Sequence, residues 1–253
     1  MHKLIQNGRL IFSIGFIALG VVCFISNDFI VGRPPAWPAE IAINPVLAYI
    51  TGILIILSAL GILTGNKPIT GSLIIAVLIL LFSISRHIPH FMKDWANAYK
   101  SMALLGGCLI IAASYEGKTG GSVLSEKSRN YFVLTGTVLL AAFFIVCGYA
   151  HFKFAEFVKT LIPDYIPFHP FWTYFAGICL LLGGIGLLLP QTRRLASLLS
   201  GSMVLGWFFL LHIPRFIANT SDPSDRMGVC ESFIFAGIFF VLSGISSRMK
   251  KVI

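Results

Sequence analysis

Eight apolar runs, separated by short stretches that carry nearly all the charge, leave this chain few folds to choose from. They fall at about 10–26, 45–64, 69–88, 100–115, 131–150, 170–190, 195–213 and 229–247. Each is close to the roughly 20 residues a helix needs to cross a bilayer. Within a run the apolar residues are continuous, so no face is reserved for water. Only 11% of the residues are charged, against about 25% in a soluble domain. The sequence predicts an all-α integral membrane protein with eight transmembrane helices, and the lipid bilayer is its first partner.

The runs also repeat. At an offset of 125, Pro38 matches Pro163, Pro45 matches Pro170, Tyr49 matches Tyr174, Gly52 matches Gly177 and Gly61 matches Gly186. The same offset carries His87-Ile88-Pro89 onto His212-Ile213-Pro214, Phe91 onto Phe216 and Met102 onto Met227. An offset kept through three spans and their loops marks a duplication. It divides the chain into a first four-span unit, 1–116, a second, 129–253, and a linker, 117–128, that is short, polar and flexible. An even number of spans sets both units the same way up. The expected architecture is two parallel-repeat four-helix bundles related by a pseudo-two-fold axis along the membrane normal.

The connecting charges set the orientation. The side holding both termini carries eleven Lys and Arg against Glu116 and Glu126. The other side has eight Lys and Arg and eight acids. The positive-inside rule then places both termini in the cytoplasm of a bacterial inner (plasma) membrane. This accounts for the net charge of +9. A nucleic-acid partner is excluded, because no soluble basic domain exists to carry it. Lys3 and Arg9 ahead of an uncharged run resemble a signal peptide. No small-residue cleavage site follows, and the run has a mid-chain counterpart at 131–150, so it is read as a span. The five cysteines sit in or at the ends of apolar runs with no C-x-x-C, which argues against a thiol redox pair or a structural zinc site.

No charged residue or histidine falls near the middle of any of these spans, which disfavours an ion-coupled pump with a midplane site. Apart from His2, the histidines gather at the outer ends: His87, His90, His151, His169 and His212. Pro214 lacks an N–H and crowds the carbonyl four residues back, so carbonyls near Leu210 and Leu211 should lose their helical partners. His212 and Arg215 stand beside them, and the arginine offers a planar fork to an oxygen-rich group. His151 and Glu156 follow the fifth span, and His169 opens the sixth just before Pro170. Tyr174 lies at the same depth. The candidate ligand-binding set is therefore His212, Arg215, His151, His169, Glu156 and Tyr174, with His87 joining if the bundles face each other. No catalytic residue is identified. A quinone head group is the leading expectation for a bound molecule. A metal held by His151, His169 and His212, or a haem between His87 and His212, ranks behind it, and no metal ligand is assigned.

The second unit resembles the DoxX and DoxX-like family of small four-span membrane proteins. The resemblance rests on Gly148-Tyr-Ala-His-Phe-Lys-Phe-Ala-Glu-Phe157, His169-Pro-Phe-Trp-Thr-Tyr-Phe-Ala-Gly177, Leu210-Leu-His-Ile-Pro-Arg215 and the Asp222 to Glu231 region. It implies a four-helix bundle per unit, the first being a diverged copy. It also implies an association with quinone-linked or thiol-stress redox systems, although other relatives are assembly factors or cargo receptors. In the first unit Ser26, Asn44 and His90 stand where His151, His169 and Arg215 should be, so a site belongs in the second unit. The functional expectation is a redox-associated membrane subunit binding a quinone or similar lipophilic molecule near the outer interface. Its partners would be a redox subunit and further copies of itself. The alternative is a non-catalytic transporter of lipid or small solutes, or a membrane assembly factor.

Overall fold

The computed structural model describes residues 2–37, 45–115 and 124–246. Pro38, Asn44, Glu40, Glu116, most of the 117–128 linker and the basic residues after Ser246 lie outside the described residues. The helices are α1 (His2–Ser26), α2 (Pro45–Thr64), α3 (Pro68–Arg86), α4 (Phe91–Ala113), α5 (Glu126–Lys153), the short α6 (Ala155–Lys159), α7 (His169–Leu188), α8 (Arg193–Trp207), a π-helical turn (Phe208–His212), α9 (Ile213–Ala218) and α10 (Pro223–Ser246). No strand occurs among the described residues. α8, the π turn and α9 form one span, so eight helical segments are long and apolar enough to cross a membrane. The protein is an all-α integral membrane protein.

Each span packs on its neighbours in sequence, and two seams close the set. α1 packs along α10, and α4 packs along α5. α1 meets α10 far more extensively than it meets α4. The two units therefore do not close as separate bundles; each gives its first helix to the last helix of the other. α4 and α10 touch in the middle, and α10 is the most buried span. Small residues allow the seams to close. A Cβ on Gly237 would lie 2.6 Å from the Gly8 carbonyl oxygen, so α1 and α10 meet backbone to backbone. Lipid-facing positions carry large apolar side chains, such as Leu57 on α2 and Leu182 on α7.

The contact between α4 and α10 revises the repeat. Lys100-Ser101 and Gly106 align with Glu231-Ser232 and Gly237 at an offset of 131, not 125. Ile238 packs against Gly107, its partner at this offset, and contact between equivalent positions is what a pseudo-two-fold axis requires. At this offset Met102 aligns with Phe233. The longer connection after Phe216 absorbs the difference.

The units also differ at one loop. Residues 27–37 turn inward, burying Phe29, Ile30 and Val31. Arg86 holds the loop by donating to the Pro35 carbonyl at 2.8 Å, the Phe29 carbonyl at 2.8 Å and Asp28 Oδ1 at 3.0 Å. Phe29 stacks on Phe82 with ring centroids 3.8 Å apart. The counterpart in the second unit is α6 and its flanks, where Phe154 and Phe157 are exposed.

Candidate functional site

The proline effect expected at Pro214 is present and has a specific remedy. Ile213 N–H bonds back to the Phe208 carbonyl, which widens the helix into a π turn. The Tyr165 hydroxyl donates to the Leu210 carbonyl, whose helical donor would have been the missing N–H of Pro214. The first unit repeats the wide turn: Ile88 N–H bonds to the Ser83 carbonyl at 3.2 Å. His-Ile-Pro is thus a duplicated helix-widening device, and each copy turns its histidine into the protein.

His212 lies against α10, where a Cβ on Gly228 would be 2.8 Å from its Nδ1. Lys100, Arg215 and Arg33 are the charges that face it. Arg215 is already engaged. Its Nε donates to Asp225 Oδ1 at 2.9 Å, its Nη2 lies 2.8 Å from the same oxygen, and its Nη1 donates to the Leu161 carbonyl at 3.1 Å. Its fork thus ties α9 to α10 and to the loop ahead of α7.

The other expected residues do not join them. His151 Nδ1 bonds to the Cys147 carbonyl of its own helix at 2.8 Å, with its Cβ close to Gly177 of α7. His169 opens α7, where its carbonyl accepts from Thr173 Oγ1 at 2.9 Å. Glu156 is a surface residue paired with Lys159 at 2.7 Å. Tyr174 is exposed beside the Phe152 ring. Among the described residues no three His, Cys, Asp or Glu side chains come close enough to hold a metal ion. Glu156 and Tyr174 thus stand at the surface, apart from His212 and Arg215.

Two further features stand out, and the first escaped the sequence. One is a set of buried charges between the units. Lys100 Nζ lies 3.3 Å from Glu231 Oε2, and Glu231 Oε1 accepts from the Gly32 N–H at 2.7 Å. Sequence reading put both residues at span ends. α4 and α10 start earlier, at Phe91 and Pro223, so both charges sit about two turns or more inside a helix. A signal was available in Asp222-Pro223, a cap residue followed by an N1 proline. Asp222 Oδ1 indeed accepts from Ser224 N–H at 2.7 Å. Ser83 and Ser101 hydroxyls, 2.5 Å apart, extend the polar seam from α3 to α4.

Beside them is His87, 3% exposed. Burial first, then the positive Arg86 and Lys100, hold its pKa down to about 4, so its ring is neutral at physiological pH. Its Nδ1 is 3.9 Å from Asp94 Oδ2, too far for a hydrogen bond.

The second feature is an open groove of about 490 Å³ lined by Tyr165, Ile166, Pro167, Phe168, Phe171 and Trp172. Phe168 stands at φ 60°, a left-handed conformation that a bulky side chain adopts only under constraint. The ring is 78% exposed, so the strained backbone holds an aromatic side chain outward beside the groove.

A family model described as a domain of unknown function (DUF8561) matches residues 140–226. The matched stretch runs from α5 to the first turn of α10 and contains the groove, the π turn and the Arg215–Asp225 pair. No curated protein and no solved structure matches the chain.

Proposed function

We propose that this protein is a redox-associated membrane subunit that holds a quinone or similar lipophilic ring at the His-Ile-Pro end of the bundle. The observation carrying the reading is the aromatic groove beside the π turn. Rings of Phe171, Trp172 and Tyr165 offer flat apolar surface at the start of a span, where a membrane-dissolved ring can reach them. Arg215 acts here as a positioning residue. Arg215 fixes Leu161, Tyr165 fixes the Leu210 carbonyl, and the groove wall runs between these anchors. The resemblance to the DoxX-like family supports the redox association. The charge asymmetry of the connecting loops supports a bacterial inner membrane with both termini in the cytoplasm.

A second reading, non-catalytic binding of a lipid, draws on the groove's chemistry. No charged side chain lines it, so an acyl chain fits its walls as well as a ring does. Purified protein is titrated with duroquinone and its Trp fluorescence followed. Saturable quenching that falls in Trp172→Ala and in the Arg215→Ala/His212→Ala pair is expected. Absence of quenching in the parent protein, with phospholipid as the co-purified molecule by mass spectrometry, would replace the quinone reading with the lipid one.

A further inference from the structure

The acidic side chains packed at this end of the bundle have partners. Glu231 has Lys100 and the Gly32 N–H. Asp225 has Arg215, and Asp28 has Arg86. His87 does not fit this pattern: neither ring nitrogen has a hydrogen-bond partner among the described residues. Arg33 Nε is buried and equally unpartnered there, although its Nη2 donates to the Ser224 carbonyl at 3.3 Å. A buried polar atom left unmatched costs about 1–3 kcal/mol. An unmatched buried imidazole 3.9 Å from a carboxylate marks a place built for something else.

The surroundings specify what that is. Arg33 and Lys100 face Asp94, and Glu231 balances Lys100. Two positive and two negative side chains cancel, so a charged guest would upset the balance. His87 is neutral, and a neutral imidazole presents one N–H donor and one lone pair. With the proton on Nδ1, the nitrogen facing Asp94, its match there must accept. Asp94 is turned to receive a hydrogen, because Asn97 Nδ2 holds its Oδ1 at 2.7 Å and leaves Oδ2 toward His87. The Asp94 side chain is 25% exposed, which gives a way in. A hydroxyl group between them accepts from the His87 Nδ1–H and donates its one hydrogen to Asp94 Oδ2.

We propose that His87 and Asp94 form a binding site for a neutral hydroxyl group. The site belongs to the first unit, whose departures from the second at Ser26, Asn44 and His90 had seemed to empty it. The hydroxyl comes either from a membrane-soluble phenol or quinol, or from a water-soluble polyol. The site is independent of the aromatic groove on the second unit.

Protein labelled with ¹⁵N-histidine is titrated with duroquinol or with glycerol, and the His87 ring resonances are followed, assigned through His87→Phe. One probe is expected to shift them saturably. Duroquinol acting alone locates the source in the membrane, and glycerol acting alone locates it in water. Asp94→Ala should weaken that binding about tenfold, the loss of one well-placed hydrogen bond. The dimethyl ether of duroquinol, which cannot donate, should fail where duroquinol succeeds. His87→Asn keeps a donor and an acceptor and should retain binding, which guards against misfolding in His87→Phe. Trp172→Ala should leave the response intact, separating this site from the groove. If neither probe shifts His87 in the folded parent protein, water alone fills the site and the proposal is overturned.

Discussion

Removing the charge of Lys100 tests whether the polar seam between the units is a true intramembrane ion pair. Glu231's side chain is 4% exposed and Lys100's is 20%, so the carboxylate has no access to water if its partner goes. At 3.3 Å and an effective dielectric near 20, the attraction is about 5 kcal/mol. Desolvation of both groups offsets part of it. Lys100→Met keeps the stem's packing but leaves Glu231 with only the Gly32 N–H, and stranding a buried charge costs about 3–5 kcal/mol. Glu231→Gln is milder, at about 1–2 kcal/mol, because the amide oxygen still accepts from Gly32 and the partly exposed Lys100 can rehydrate. The double variant Lys100→Met/Glu231→Gln strands no charge. It should recover most of the loss, giving a coupling energy of about 2–3 kcal/mol. Reversible unfolding in mixed detergent micelles, followed by circular dichroism, measures all four proteins. A Lys100→Met variant within about 0.5 kcal/mol of the parent, or strictly additive losses, would refute the reasoning.

Acid should destabilise the protein through His87. Its pKa falls from 6.5 in the unfolded chain to about 4 in the fold, so the unfolded state binds the proton first as pH drops. The stability is intact above 6.5 and is lost progressively toward 4, by up to about 3 kcal/mol. Melting temperatures should fall over that window, and His87→Phe should flatten the dependence. Tyr165→Phe should cost about 1 kcal/mol by removing the donor to the Leu210 carbonyl. In a Pro214→Ala background the same change should cost almost nothing, because the restored N–H serves that carbonyl. Equal losses in the two backgrounds would disprove the link between the tyrosine and the proline.

Much of the architecture was legible because it is local. Hydropathy is a sum over neighbours in the chain, and eight runs of bilayer length admit few structures except eight helices. The proline's consequence was legible for the same reason: its missing N–H acts on a carbonyl four residues away. Charge was read less well. Lys100 and Glu231 were assigned to span ends because an isolated charge is costly in lipid, and the sequence did not show that each would find the other 131 residues away.

The sequence by itself determined an all-helical membrane protein of eight spans, its internal duplication, and a pair of histidines at matching helix ends. Only the tertiary structure decided which faces meet. α1 closes on α10 through glycine backbones, the 27–37 loop turns inward toward Glu231, and the pseudo-axis runs between two opposite charges. The reason is physical. A helix forms from hydrogen bonds within itself, whereas the environment of His87, Lys100 or Arg215 is set by residues that folding brings from elsewhere. A residue's burial and its partners, and so its chemistry, are properties of the packed whole.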